Sequence, residues 1–186
     1  MRAWIAGLAA LAAACSGEVT VDGDTAPGES YTLEVRATEG EQTYLVIAPD
    51  GRVVGARAAE GASALMNGDR ARELAGDPPP QGETPPEVMS LRLPGIDMQI
   101  NADEGEGESG RANVSINAGE HSVIVNADEG GPGEADDRAF VRITGADEDA
   151  VRDFVNDAEE LSPQVKAEML TELGITAASA EDEAQP

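Results

Sequence analysis

The chain is expected to fold as an α+β domain, an antiparallel β-rich body with two C-terminal helices packed on it. Three observations lead there. Residues 31–59 and 88–144 alternate apolar and polar side chains in short runs, the period-two pattern of half-buried antiparallel strands. Residues 147–173 change period, with Ala150, Val151, Phe154, Val155, Ala158 and Leu161, then Val165, Met169, Leu170 and Leu173, falling at helical spacing. The 21 Gly and 11 Pro break the apolar runs into short pieces and supply the turns.

Within 30–76 the pattern predicts a β-meander plus a short helix. Tyr31, Leu33 and Val35 alternate in the first strand, and Glu39-Gly40-Glu41 turns the chain. A second run ends at Pro49-Asp50-Gly51, a strong tight-turn signal, and a third returns through Val53 and Val54. Ala64, Leu65, Arg70, Ala71, Arg72, Glu73 and Leu74 read as a short helix stopping at Gly76. Residues 77–87 hold five prolines, so they form neither a helix nor a central strand and read as a stiff solvated loop.

Residues 88–175 are read as antiparallel strands followed by two helices. Met89, Leu91 and Leu93 share one face, as do Ile96, Met98 and Ile100, and then Val114 and Ile116. An internal echo is visible. Ile100-Asn101-Ala102-Asp103-Glu104-Gly105 matches Val125-Asn126-Ala127-Asp128-Glu129-Gly130, and Ile116-Asn117-Ala118-Gly119 is a partial third copy. The unequal spacing argues against a regular solenoid and for related hairpins. Thr144 with Asp147 three residues on fits a capping box for the first helix. Ser162-Pro163 starts the second helix and Gly174 stops it, with Ile175 folding back. The helices are expected to cover one face of the second block of strands. Whether 30–76 and 88–175 share one core is left open. Residues 176–186 are small and acidic and read as a disordered tail.

Charge narrows the function classes. The chain has 12 Lys+Arg against 37 Asp+Glu, a net −25 at pH 7. Such a field repels nucleic acid and anionic lipid, favours cations and basic partners, and keeps the chain soluble and monomeric. A nucleic-acid-binding role is therefore excluded, and a monomer is expected. Aromatic residues are few, with one Trp, two Tyr and two Phe, so the core must be aliphatic.

The N-terminus carries an address. Arg2 precedes an apolar run over 3–14 that ends in Ala12-Ala13-Ala14 before Cys15, the composition of a secretory signal too short to span a bilayer. Cys15 is the one Cys in the chain and has no internal disulfide partner. Ala12-Ala13-Ala14-Cys15 resembles the lipobox of bacterial lipoproteins, with Leu11 one step before the position where that family usually places Leu. The resemblance covers residues 1–17. It implies a signal peptide at 1–14, a Cys15 carrying diacylglycerol and palmitate, and a lipidated N-terminus with flexible tether at 15–29. Ser16 in second place implies sorting to the outer membrane, facing the periplasm. The alternative is ordinary cleavage after Ala14, leaving a free thiol in the periplasm.

Chemistry-bearing motifs are sparse. His121 is the one His, and no Gly-x-Ser-x-Gly or phosphate-cradling loop accompanies it. The acidic turns 103–108 and 128–137 offer Asp103, Glu104, Asp128, Glu129, Asp136 and Asp137 as oxygen ligands for calcium or another cation, although neither turn fits an EF-hand loop. The expected function is thus a lipid-anchored cell-envelope protein with a non-enzymatic binding or structural role. No cofactor is expected beyond weak calcium, no catalytic residue is assigned, and the partners are membrane lipid through Cys15 and an envelope protein or cation. A cation-binding module is the alternative, and a carboxylate-based hydrolase ranks last.

Overall fold

The computed structural model describes residues 30–176, apart from residues 39, 76–84, 94, 105–109 and 130–136. The signal peptide, Cys15, the tether and the tail beyond Thr176 lie outside the described residues. The described residues form a nine-stranded antiparallel sheet with three helices, two of them C-terminal, so the predicted α+β class is correct. The strands are β1 (Tyr31–Thr38), β2 (Glu41–Ile47), β3 (Val53–Ala59), β4 (Ala62–Leu65), β5 (Glu87–Leu93), β6 (Ile96–Glu104), β7 (Gly110–Ala118), β8 (His121–Glu129) and β9 (Arg138–Ala146). The helices are α1 (Gly68–Leu74), α2 (Glu148–Asn156) and α3 (Pro163–Leu173). Spatial order is β4-β3-β2-β1-β9-β8-β7-β6-β5, so both blocks of strands join one sheet where β9 pairs with β1.

Register is continuous across the junction. Leu91, Met98, Ile116, Val123, Ile143, Leu33, Val46 and Val54 form one cross-strand row. Directly opposite residues share a face, so this row lines one side of the sheet, while Leu45, Ile124 and Phe140 stand on the other. The echoed segments explain themselves in this register. β6 and β8 flank β7, so Ile100, Val114 and Val125 share a row and Asn101, Asn113 and Asn126 the next.

The turns follow local chemistry. Gly51 N–H donates to Ala48 O at 2.9 Å with Gly51 at φ 84°, as the Pro-Asp-Gly signal requires. The Asp50 carboxylate accepts from Arg52 N at 2.9 Å and from Arg52 Nε at 2.6 Å, which holds its carboxyl below the usual carboxylate range. The stretch before α1 is not helical. Ala59 pairs with Ala62 across a two-residue loop in which Glu60 and Gly61 both have positive φ, a type I′ hairpin that makes 62–65 a strand. α1 starts only after Asn67, whose side chain accepts from Asp69 N.

The N-cap of α2 is Asp147, whose carboxylate accepts from Ala150 N at 2.8 Å. Thr144 is not the cap, because it belongs to β9 and pairs with Thr32 and Ser122. Between them Gly145 takes φ 83° at a register shift, and a Cβ there would lie 2.4 Å from His121 Nδ1, so this bulge admits only glycine. α3 matches its signals. Ser162 accepts from Val165 N, Pro163 occupies the first turn, Gly174 is left-handed, and Ile175 N–H returns to Leu170 O.

The two C-terminal helices pack on the first half of the sheet, α2 on β1 and α3 on β3 and β4, and not on the second block of strands. The chain leaves β9 at mid-sheet, where it can turn either way. The first half offers small residues, Ala56 and Ala58, for close helix approach, and polar anchors as well. Arg52 Nη1 donates to Glu172 O at 2.8 Å at the C-terminus of α3, where a cation suits the helix dipole. Ser162 N–H donates to Ser63 Oγ at 2.8 Å. The core under the helices joins Leu33, Val35, Tyr44, Val46 and Val54 to Val151, Val155, Val165, Met169 and Leu170.

Tyr44 is the polar exception in that core. Its hydroxyl donates to Glu160 Oε2 at 2.6 Å, and Gln42 Nε2 donates to Glu160 Oε1 at 3.2 Å. Burial, reinforced by the Glu160 carboxylate, pushes the phenol well above its ordinary value of 10.0. The raised folded-state value keeps Tyr44 protonated while the unfolded chain ionises. This contribution to stability is therefore complete below pH 10 and is lost as pH rises above it, by about 1.4 kcal/mol per pH unit. Denaturant melts of the wild type and Tyr44→Phe between pH 9 and 11 check this. The wild type should show the steeper alkaline loss, and equal slopes would contradict it.

Candidate functional site

The apolar face of the sheet is unevenly covered. Over β1–β3 its central rows are buried beneath α2 and α3, with Val46 0% exposed, and Leu65 of β4 is half-buried at the margin. Over β5–β8 the same rows continue, yet no residue of those four strands is buried among the described residues. Met98, Ile100, Val114, Ile116, Val123 and Val125 are half-buried. Toward the free edge exposure rises, to 44% at Met89, 40% at Leu91 and 42% at Ile96, with Val88 beside them at 66%. A contiguous apolar surface on a monomer marks a docking surface more often than an accident of composition.

Phe154, Tyr31, Val141 and Ile143 stand at the boundary, partly buried against the covered core. Among the described residues β5 is the last strand of the sheet on this side, and it pairs with β6. Pro85 and Pro86, from the end of the predicted proline-rich loop, lead directly into β5, and Pro86 O accepts from Ala102 N at 3.1 Å.

The opposite face carries the polar rows. Glu34, fully buried, sits between two guanidinium groups. Arg36 Nη2 donates to its Oε2 at 3.1 Å and Arg142 Nε to its Oε1 at 3.0 Å. Both guanidiniums lie over the Phe140 ring, at 5.3 and 5.2 Å from its centroid. Arg36 also donates to Leu74 O, joining the sheet to the end of α1. A carboxylate bonded by two arginines is held in one place, which suits anchoring the sheet.

The sequence-predicted cation ligands fall as follows. Asp103 faces Arg111 across the β6–β7 ladder, and Asp128 lies between Arg111 and Arg138, each at 3.5 Å. These two aspartates thus belong to an alternating row of charges that is internally balanced. Glu104 and Glu129 both pair with Gly110 at the strand ends. Asp137 immediately precedes β9, while Asp136 and Cys15 lie outside the described residues. Among the described residues, no group of three or more His, Cys, Asp or Glu is placed to hold a metal ion. His121 is exposed at the start of β8, packed over the Gly145 backbone.

The residues of this face are legible in the sequence, but its exposure is not. The alternation of Met98, Ile100, Val114 and Ile116 was legible, but an alternating strand looks the same whether or not a helix lies on it. Among the described residues, no helix is long and apolar enough to cross a membrane. Comparison with protein-family models, with curated proteins and with solved structures finds no match.

Proposed function

We propose that the chain is a lipid-anchored cell-envelope protein with a non-enzymatic binding role, and that the uncovered half of its sheet is the binding surface. The observation that carries this is the apolar face of β5–β8, half-buried to exposed beside an otherwise identical face that α2 and α3 bury. Diacylglycerol on Cys15 would hold the domain at the membrane, with residues 16–29 as the tether and Ser16 directing it to the outer membrane, facing the periplasm. The buried Glu34 cluster and the balanced charge row support a rigid scaffold presenting that surface.

The anchor is tested by labelling with clickable palmitate in a Gram-negative host, followed by membrane fractionation. The wild type should carry label and fractionate with the outer membrane, and Cys15→Ser should carry none. An unlabelled wild type, with a mature chain starting at or near Cys15, would overturn the anchored reading.

A further inference from the structure

We infer that the uncovered half of the apolar face takes a basic amphipathic helix from a partner polypeptide, an assignment that rests on reading that face as the binding surface. The chain's own packing is the first argument. α2 and α3 already cover this face over β1–β4, and the row they bury through Leu33 continues through Ile143, Val123, Ile116, Met98 and Leu91. A surface that accepts helices on one half repeats the same chemistry on the other.

Size is the second. Four strands at about 4.8 Å spacing and six residues at about 3.4 Å make a patch roughly 20 Å on each side. A helix is about 10 Å across with its side chains, and about 14 residues span such a length. That patch, on the order of 400 Å² in plan, is about half of what each partner contributes to a standard interface, so it suits a helix better than a second copy of the whole domain.

Charge is the third. Residues 85–146 hold 12 Asp and Glu against four Arg. The four arginines stand in the polar rows of the other face: Arg92 beside Asp97, Arg111 and Arg138 beside Asp128, and Arg142 on Glu34. Asp97, Asp103 and Asp128 share that other face with them, so among the described residues the apolar half has no Lys or Arg in its own rows and stands in the field of a chain at net −25. A helix whose apolar stripe is bordered by Lys and Arg is attracted, whereas an anionic lipid surface and a second copy of this chain, at net −25, are repelled.

The test uses the chain from residue 15 onward with Cys15→Ser, and a fluorescein-labelled Leu/Lys amphipathic peptide of about 14 residues. Two control peptides accompany it, one of the same composition scrambled to remove the stripe and one with Glu for Lys. Fluorescence anisotropy is read at about 0.15 M salt, where charges more than roughly 8 Å apart are screened. The amphipathic basic peptide should bind, and both controls should bind at least about tenfold more weakly. Leu91→Glu and, separately, Ile96→Glu should each weaken binding by about tenfold, because a helix docked there would bury the new carboxylate. Both sites are exposed, and circular dichroism melts verify that each variant is folded. Equal binding of the scrambled peptide, or unchanged binding by both folded variants, would overturn the proposal. If the peptide fails while the wild type floats with phosphatidylcholine vesicles or self-associates, and Leu91→Glu abolishes that, the helix is the wrong occupant and the binding face stands. If peptide, vesicles and self-association are all indifferent to Leu91→Glu, the binding face itself is refuted.

Discussion

Glu34→Gln should lower the melting temperature by roughly 10 °C, at about 3 °C per kcal/mol for a domain of this size. The substitution keeps shape and removes charge. It removes the negative charge that the Arg36 and Arg142 guanidiniums share over Phe140. Breaking a buried pair by removing one partner costs about 3–5 kcal/mol. The lower end is expected because the two arginine side chains keep 16% and 18% of their exposure. Arg142→Gln added to Glu34→Gln should restore part of the loss, since one orphaned charge goes with it. Thermal melts of the two single variants and the double variant read this directly. A shift below about 3 °C for Glu34→Gln would mean that the two guanidiniums are neutralised by other groups.

The second large effect is a contrast between two sites on the same face of the same sheet. Val46→Glu puts a carboxylate beneath α2 and α3 at a fully buried position. It should cost at least about 4 kcal/mol, or force the helices off the sheet, because a buried charge without a partner cannot be hydrated. Ile96→Glu makes the same chemical change on the uncovered half, where the side chain is already 42% exposed. It should shift stability by no more than about 1 kcal/mol. Urea melts of both variants check the contrast. Comparable losses at the two sites would mean that the β5–β8 face is covered in the native protein.

Much of this architecture was legible in the residues. The strands of both blocks follow from alternation, the hairpin at Gly51 from Pro-Asp-Gly, and the limits of α3 from Ser162-Pro163 and Gly174. What failed was decided by contacts distant in sequence. Ala62–Leu65 is rich in Ala and Leu, good helix formers, yet pairing with β3 across the Glu60-Gly61 turn makes it a strand. Thr144 resembled a cap because the Gly145 bulge that keeps it in β9 depends on β1 and on His121. Glu34 sits on the polar side of an alternating strand, and nothing local to it marks a buried ion pair, because its partner Arg142 is 108 residues away and arrives only through the β1–β9 pairing. The helices were expected on the second block because it directly precedes them, whereas the junction of β9 with β1 placed the first block equally near.

The same limit applies to the binding face. Its apolar residues can be read one by one, but its openness depends on where α2 and α3 settle.

The most direct test is therefore thiol accessibility across that face. In a Cys15→Ser background, which removes the chain's one native cysteine, single cysteines are introduced as Ile96→Cys, Leu91→Cys and Val46→Cys. Each is reacted with a bulky maleimide under native conditions. The cysteines at 96 and 91 should react at rates near that of the unfolded chain, and the one at 46 only as fast as the protein opens. Protection at 96 and 91 equal to that at 46 would show the second half of the sheet to be buried, and the binding surface would not exist.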